Sequence, residues 1–240
     1  MVANKLVLNG DKTHLLIMAT PYQHRQHQDY GITLNTGAEI ILPSYKEKLL
    51  GGFITNDFKF NEHLKDNEQS AFRSLTSRVN ALAKISKLAS FKTRKMVANG
   101  IVISKLVYLI QWWGGCSDYL LNYLQVLQNR AARLVTRHGL FTPNAVVLHQ
   151  CGWLSVRQMV QYHSLVLVAK IKLQNKPEYF REHFTSNFPY RKRLATGLGI
   201  RREDQLSHDV TKNSFAPRTT ATWNLLPAVI RSLQSIQQFK

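Results

Sequence analysis

Over the first 58 residues the apolar positions come in short runs, not at helical spacing. Residues 14–18 form one such run. Residues 30–34 and 39–42 flank Asn35-Thr36-Gly37-Ala38, a glycine-containing connection suited to a hairpin. Residues 48–55 predict a further strand, and Gly51-Gly52 inside it predict a bulge or a close backbone approach. The polar, His- and Gln-rich stretch 21–29 predicts a loop.

From Asn61 onward the period is helical. Asn61 is a candidate cap, with Glu62 in the first turn. Phe72, Leu75, Val79 and Leu82 recur at three- and four-residue steps, and Arg73, Ser77, Asn80, Lys84 and Lys87 recur likewise on another face. That predicts an amphipathic helix with a basic ridge. A second helix is expected over 92–113, stopped by Gly114-Gly115. A third starts near Ser117, with Leu120, Leu124, Leu127, Ala131 and Leu134 on its apolar face. Arg130, Arg133 and Arg137 form a separate stripe on it. A fourth covers 155–173, and short helices are expected near 217–225 and 227–233, where proline suits a first turn. The fold class that follows is α+β, mostly α.

Charge sharpens this picture. The 240 residues carry 32 Lys+Arg against 14 Asp+Glu, a formal net charge of +18. Residues 1–68 hold 7 basic and 8 acidic residues, so the excess lies entirely in 69–240. No acid occurs between Glu68 and Asp118, or between Asp118 and Glu178. An ordinary solvated face mixes both signs, so a single-sign face predicts a polyanion partner, nucleic acid before membrane surface. With 44% hydrophobic residues the chain is globular and not a basic tail. No run reaches the roughly 18 apolar residues of a membrane helix, and no leader is evident at the N-terminus, so an intracellular, reducing setting is expected. Nucleus and cytoplasm are not distinguished.

Candidate chemistry is sparse. There is no Asp-Asp or Asp-x-Asp pair for a two-metal site. Glu203-Asp204 reads as a partner for Arg201 or Arg202. His24-x-x-His27 lacks the four ligands of a structural zinc site. Cys116 and Cys151 read as buried thiols. No phosphate loop or nucleophile elbow is present. Aromatics (Phe91, Tyr108, Trp112, Trp113, Tyr119, Tyr123, Trp153, Tyr162) are interleaved with the basic residues. Tyr108, Trp112 and Trp153, on apolar faces, are expected in the core. No groove-reading motif appears.

Several blocks together carry a resemblance. Asn4-Lys5-Leu6-Val7-Leu8-Asn9-Gly10-Asp11-Lys12-Thr13 is similar to the N-x-L-x-L-N-x-x-K-T segment of LINE-type (non-LTR, jockey-like) retrotransposon reverse transcriptases. Leu50-Gly51-Gly52-Phe53-Ile54-Thr55 and Phe60-Asn61-Glu62-His63-Leu64 resemble the next block, with Asp57 displaced from the family's spacing. Gln125-Val126-Leu127-Gln128-Asn129-Arg130-Ala131-Ala132-Arg133 resembles the L-Q-N-R-A-A-R helix, and residues 148–156 a following L…WL-x-V block. Ser214-Phe215, Trp223-Asn224-Leu225-Leu226-Pro227 and Phe239-Lys240 resemble the C-terminal block. The blocks occur in order across nearly the whole chain.

The resemblance implies three parts: a small antiparallel palm remnant with a primer-grip-like strand (1–58), a helical thumb (59–137) and a helical post-thumb region (138–240). It places the family's catalytic carboxylates upstream of Met1, so no catalytic or metal residue is expected here. Mg2+ belongs to the complete enzyme, and this chain alone is not expected to polymerise. Lys12 would lie near the incoming nucleotide, or else serve as a turn lysine. Leu50, Gly51, Gly52 and Phe53 would form the primer grip. Arg73, Lys84, Lys87, Arg130, Arg133 and Arg137 are the expected phosphate contacts. The expected partners are an RNA/DNA template–primer and the rest of the polymerase, with no membrane. Two other readings remain open: a host-retained, non-enzymatic nucleic-acid-binding protein, and an inert degraded copy that exposes strand edges and an apolar face.

Overall fold

The computed structural model of the chain describes residues 9, 12–26, 31–37, 39–185, 199–200 and 214–239. Two units are distinguished, residues 1–73 and 74–240. The boundary falls inside a helix.

In the first unit, β1 (Leu15–Leu16) leads to α1 (Pro21–Gln26). A loop was expected there. Thr20 and Gln23 cap the helix reciprocally: Thr20 N donates to Gln23 Oε1 (3.0 Å) and Gln23 N to Thr20 Oγ1 (3.3 Å). Pro21 suits the first helical position, where no N–H is needed. β2 (Leu34–Asn35) and β3 (Ile40–Ile41) form the expected hairpin. β4 (Pro43–Ser44) pairs with β1 in parallel.

β5 (Lys46–Leu49) and β6 (Gly52–Thr55) pair antiparallel with Leu49 opposite Gly52. Leu50 and Gly51 alone make the turn, with φ of 49° and 78°. Two successive positive φ values match the twist of the flanking strands. The expectation of one strand with a glycine bulge is therefore corrected. Gly51 is the turn residue and Gly52 begins the return strand. Among the described residues these strands form separate pairs and no continuous sheet. β6 packs on a π-helical turn, Glu62–Asp66, which buries His63 and Leu64. Asn61 does not cap it: its φ and ψ, −57° and −49°, are themselves helical.

α2 (Ala71–Ser86) runs across the boundary between the units. Leu75, Val79 and Leu82 are buried, whereas Arg73, Ser77, Asn80 and Lys84 are exposed, as the spacing predicts. α3 (Phe91–Ala98) is capped by Ser90, whose Oγ accepts from Thr93 N. The single helix expected over 92–113 is broken. After a π-helical turn (Asn99–Ile103) and α4 (Ser104–Val107), Leu109 adopts φ 56° before α5 (Ile110–Trp113). The indole of Trp113 donates to the Tyr108 carbonyl (2.8 Å), satisfying an acceptor at the break. Trp113 is thus the core ring of this region, while Tyr108 is exposed and Trp112 and Trp153 are half-buried.

α6 (Asp118–Thr136) and α8 (Val156–Gln174) are the two longest helices described. Leu120, Leu124, Leu127, Ala131 and Val135 are buried, with Val135 in the place expected for Leu134. α6 packs against α3, α8 and α7 (Asn144–Cys151), a helix the apolar spacing did not announce. A polar cluster fastens α6 to α8. Gln125 Nε2 donates to Gln128 Oε1 and Asn129 Oδ1 (2.8 Å each), and Val156 N donates to Gln125 Oε1. Fully buried Gln128 donates to the Leu154 carbonyl. Ser155 and Gln158 complete a capping box at the start of α8.

β7 (Phe184–Thr185) and β8 (Gly199–Ile200) add an antiparallel pair. α9 (Phe215–Leu225), α10 (Ala228–Arg231) and α11 (Ile236–Phe239) follow. α8 also packs against α5, α9 and α11, and buried Trp223 stacks on Phe239. The chain is α+β and mostly helical. Among the described residues no helix is long and apolar enough to cross a membrane.

Candidate nucleic-acid interface

Helix ends organise the basic residues of the second unit. The last carbonyls of a helix lack intrahelical donors and carry partial negative charge, so arginines gather there. Arg94 is 5% exposed; its Nε donates to Val135 O (2.8 Å) near the end of α6, and its Nη1 to Ala89 O (2.6 Å). Burial pushes its pKa down from the ordinary arginine value, and the charge of Arg137 adds to that. Arg137 ends α6 in the left-handed conformation (φ 62°), and its Nη2 donates to Ser86 O and Lys87 O (3.0 Å each). Arg133 Nη2 reaches Leu140 O, Thr142 O and Asn144 Oδ1, tying down the α6–α7 connection. Arg78 Nη1 donates to Ile101 O (3.0 Å).

The expected phosphate contacts therefore divide. Arg133 and Arg137 are engaged in holding carbonyls. Arg73, Lys84, Lys87 and Arg130 are exposed and pair with no carboxylate among the described residues. Lys87 follows α2 directly, and its carbonyl is one that Arg137 holds. Arg130 lies about two turns, roughly 10 Å along the axis, before the end of α6 that Arg137 caps. The spacing placed Arg73 and Lys84 on the exposed face of α2. It could not show what stood opposite, and so missed Arg94 as a structural residue.

Apolar residues at this end were also missed. Leu88 is 93% exposed beside Lys87, and Leu140 and Phe141 are 84% and 103% exposed in the connection that Arg133 holds. The signal in the sequence is an apolar pair, Leu140-Phe141, just after Gly139 and outside any helical period.

In the first unit, Lys12 is exposed in a short turn whose N–H donates to Asn9 O (3.3 Å). Leu50 and Gly51 form the exposed tip of the β5–β6 hairpin, and Gly52 and Phe53 are buried behind it. Lys48 Nζ lies 5.6 Å from the Phe53 ring centroid and donates to Gln69 Oε1. Most of the block at residues 4–13, the Arg191-Lys192-Arg193 patch, Arg201-Arg202 and Glu203-Asp204 lie outside the described residues.

Among the described residues no three His, Cys, Asp or Glu side chains gather as a metal site would require, and no role through Mg2+ is assigned to them. Neither thiol is activated. Burial pushes Cys116 up to about 12 and Cys151 up to about 11, so the thiolate is scarce at neutral pH. No family model, curated protein or solved structure matches the chain.

Proposed function

We propose that the chain is a C-terminal portion of a retrotransposon reverse transcriptase, comprising the palm end, thumb and post-thumb region, and that it grips an RNA/DNA template–primer through phosphates. The single observation that carries the grip is that Lys84, Lys87 and Arg130 are exposed and pair with no carboxylate among the described residues. A cationic face of this kind neutralises phosphates and releases counterions without reading sequence. The ordered sequence blocks support the polymerase origin. Exposed Phe141 and Leu140 beside the arginine-held α6 end supply a surface on which an unpaired base can stack. No catalytic step is assigned to these residues.

The test is a charge reversal of Lys84, Lys87 and Arg130 to Glu in the full chain. Anisotropy with a labelled RNA/DNA hybrid should show at least a tenfold loss of affinity, with thermal unfolding unchanged. Unaltered affinity would overturn the grip.

A further inference from the structure

The connection from α6 to α7 presents two large apolar side chains to water. Thr142 N donates to Gly139 O (3.2 Å), so residues 139–142 form a turn with Leu140 and Phe141 at its two central positions. Such positions ordinarily carry Gly, Pro, Asn, Asp or Ser. Here Phe141 is fully exposed and Leu140 nearly so. The backbone of the turn is braced. Arg133 Nη2 donates to the carbonyls on either side of Phe141, those of Leu140 (3.3 Å) and Thr142 (3.1 Å), and to Asn144 Oδ1 (2.8 Å). A ring held out in this way costs little ordering entropy when a partner covers it.

The charge beside the turn says what that partner carries. Arg137, two residues before Gly139, uses Nη2 to hold Ser86 O and Lys87 O, and its Nε and Nη1 make no hydrogen bond among the described residues. Its charge bears on buried Arg94 and adds to the burial that pushes the pKa of that arginine down. Neither arginine pairs with a carboxylate among the described residues, nor does exposed Lys87, whose carbonyl Arg137 holds. Cations without a counter-charge favour an anionic partner. An apolar protein helix would cover the ring and leave them uncompensated. A nucleotide chain brings both a flat base and a phosphate in each unit.

We propose that this junction binds the unpaired extension of a nucleic-acid duplex, one base stacking on Phe141 while an adjoining phosphate meets Lys87 and the open edge of Arg137. The proposal rests on the phosphate-grip reading and narrows its substrate to a duplex that carries a single-stranded extension.

The experiment compares, by anisotropy with the full chain, labelled RNA/DNA hybrids that are blunt or carry a short single-stranded extension. The extension should tighten binding about tenfold, within the range that one stacked base supplies. Abasic sugars in the extension keep its phosphates and should remove the gain. Phe141→Ala should abolish the advantage of the extended over the blunt hybrid, and Phe141→Trp should retain it. Val229→Ala, at an exposed apolar position in α10, should leave the advantage unchanged. No gain from the extension, a gain that abasic sugars keep, or an advantage indifferent to Phe141→Ala would overturn the proposal. A dimer in light scattering that Phe141→Ala dissolves would overturn it too, since the turn would then serve a second copy of the chain. Affinity for the blunt hybrid and its salt dependence test the grip itself, so the two failures are read separately.

Discussion

The charge of Arg137 bears on Arg94, yet both side chains donate to carbonyls at helix ends: Arg94 to Val135 O, Arg137 to Ser86 O and Lys87 O. Two like charges are held together there because the C-terminal ends of α2 and α6 supply the acceptors, with the Ala89 carbonyl before α3 taking a further Arg94 N–H. The ends of α2 and α6 and the start of α3 are thereby fixed to one another. That junction positions Lys87 and the exposed Leu88, Leu140 and Phe141.

Arg94→Met is therefore expected to destabilise the fold by about 2–3 kcal/mol, since it leaves Val135 O and Ala89 O without their charged donor. Urea unfolding measures this as a lower midpoint with unchanged slope. Lys84→Ala, at an exposed position, should shift stability by no more than about 0.5 kcal/mol. Equal effects from the two variants would contradict the division between structural and exposed cations.

Gly114→Ala is a prediction about steric room. The added Cβ would stand 2.7 Å from both Arg218 Nη1 and Val160 Cγ1. A cost of about 1–3 kcal/mol is expected, as for overpacking elsewhere. Thermal unfolding checks it, with Gly100→Ala, where a Cβ meets nothing within 4 Å, as the control.

Acid should weaken the first unit through Asp57. Burial raises its pKa, but hydrogen bonds from Thr55 Oγ1 (2.8 Å) and from Lys59, together with the Lys59 charge, outweigh this and hold it below 3.8. A depressed folded-state pKa gives stability that is present above the unfolded value and lost as pH falls through the folded one. The loss therefore falls below about pH 4. Asp57→Asn should flatten that limb of stability against pH, measured by unfolding from neutral pH into acid; an unchanged limb would assign it to other carboxylates.

Parts of this structure are legible in the sequence for identifiable reasons. The Leu75–Val79–Leu82 spacing gave α2 its buried face, and Ser155 with Gln158 marked the start of α8 by local chemistry alone. Thr20-Pro21 with Gln23 is an equally local cap, passed over because the stretch is polar. The break at Leu109 was not legible, since neither a proline nor a glycine marks it and the Trp113 indole that bonds the Tyr108 carbonyl there is seen only in the folded chain. The arginines show the same limit. Periodicity put Arg130, Arg133 and Arg137 on one stripe, but only tertiary neighbours show that half-buried Arg133 and exposed Arg137 hold carbonyls.

The central claim is a phosphate grip by an exposed cationic face, and its most direct test is the salt dependence of binding. Affinity of the full chain for an RNA/DNA hybrid duplex should be measured by anisotropy across a salt series. Engagement of about 6–10 phosphates predicts a fall of roughly 10³–10⁵ between about 50 and 200 mM salt, and Lys84→Glu should make the slope shallower by about one or more. An affinity that does not change with salt, or a slope indifferent to Lys84→Glu, would contradict the account.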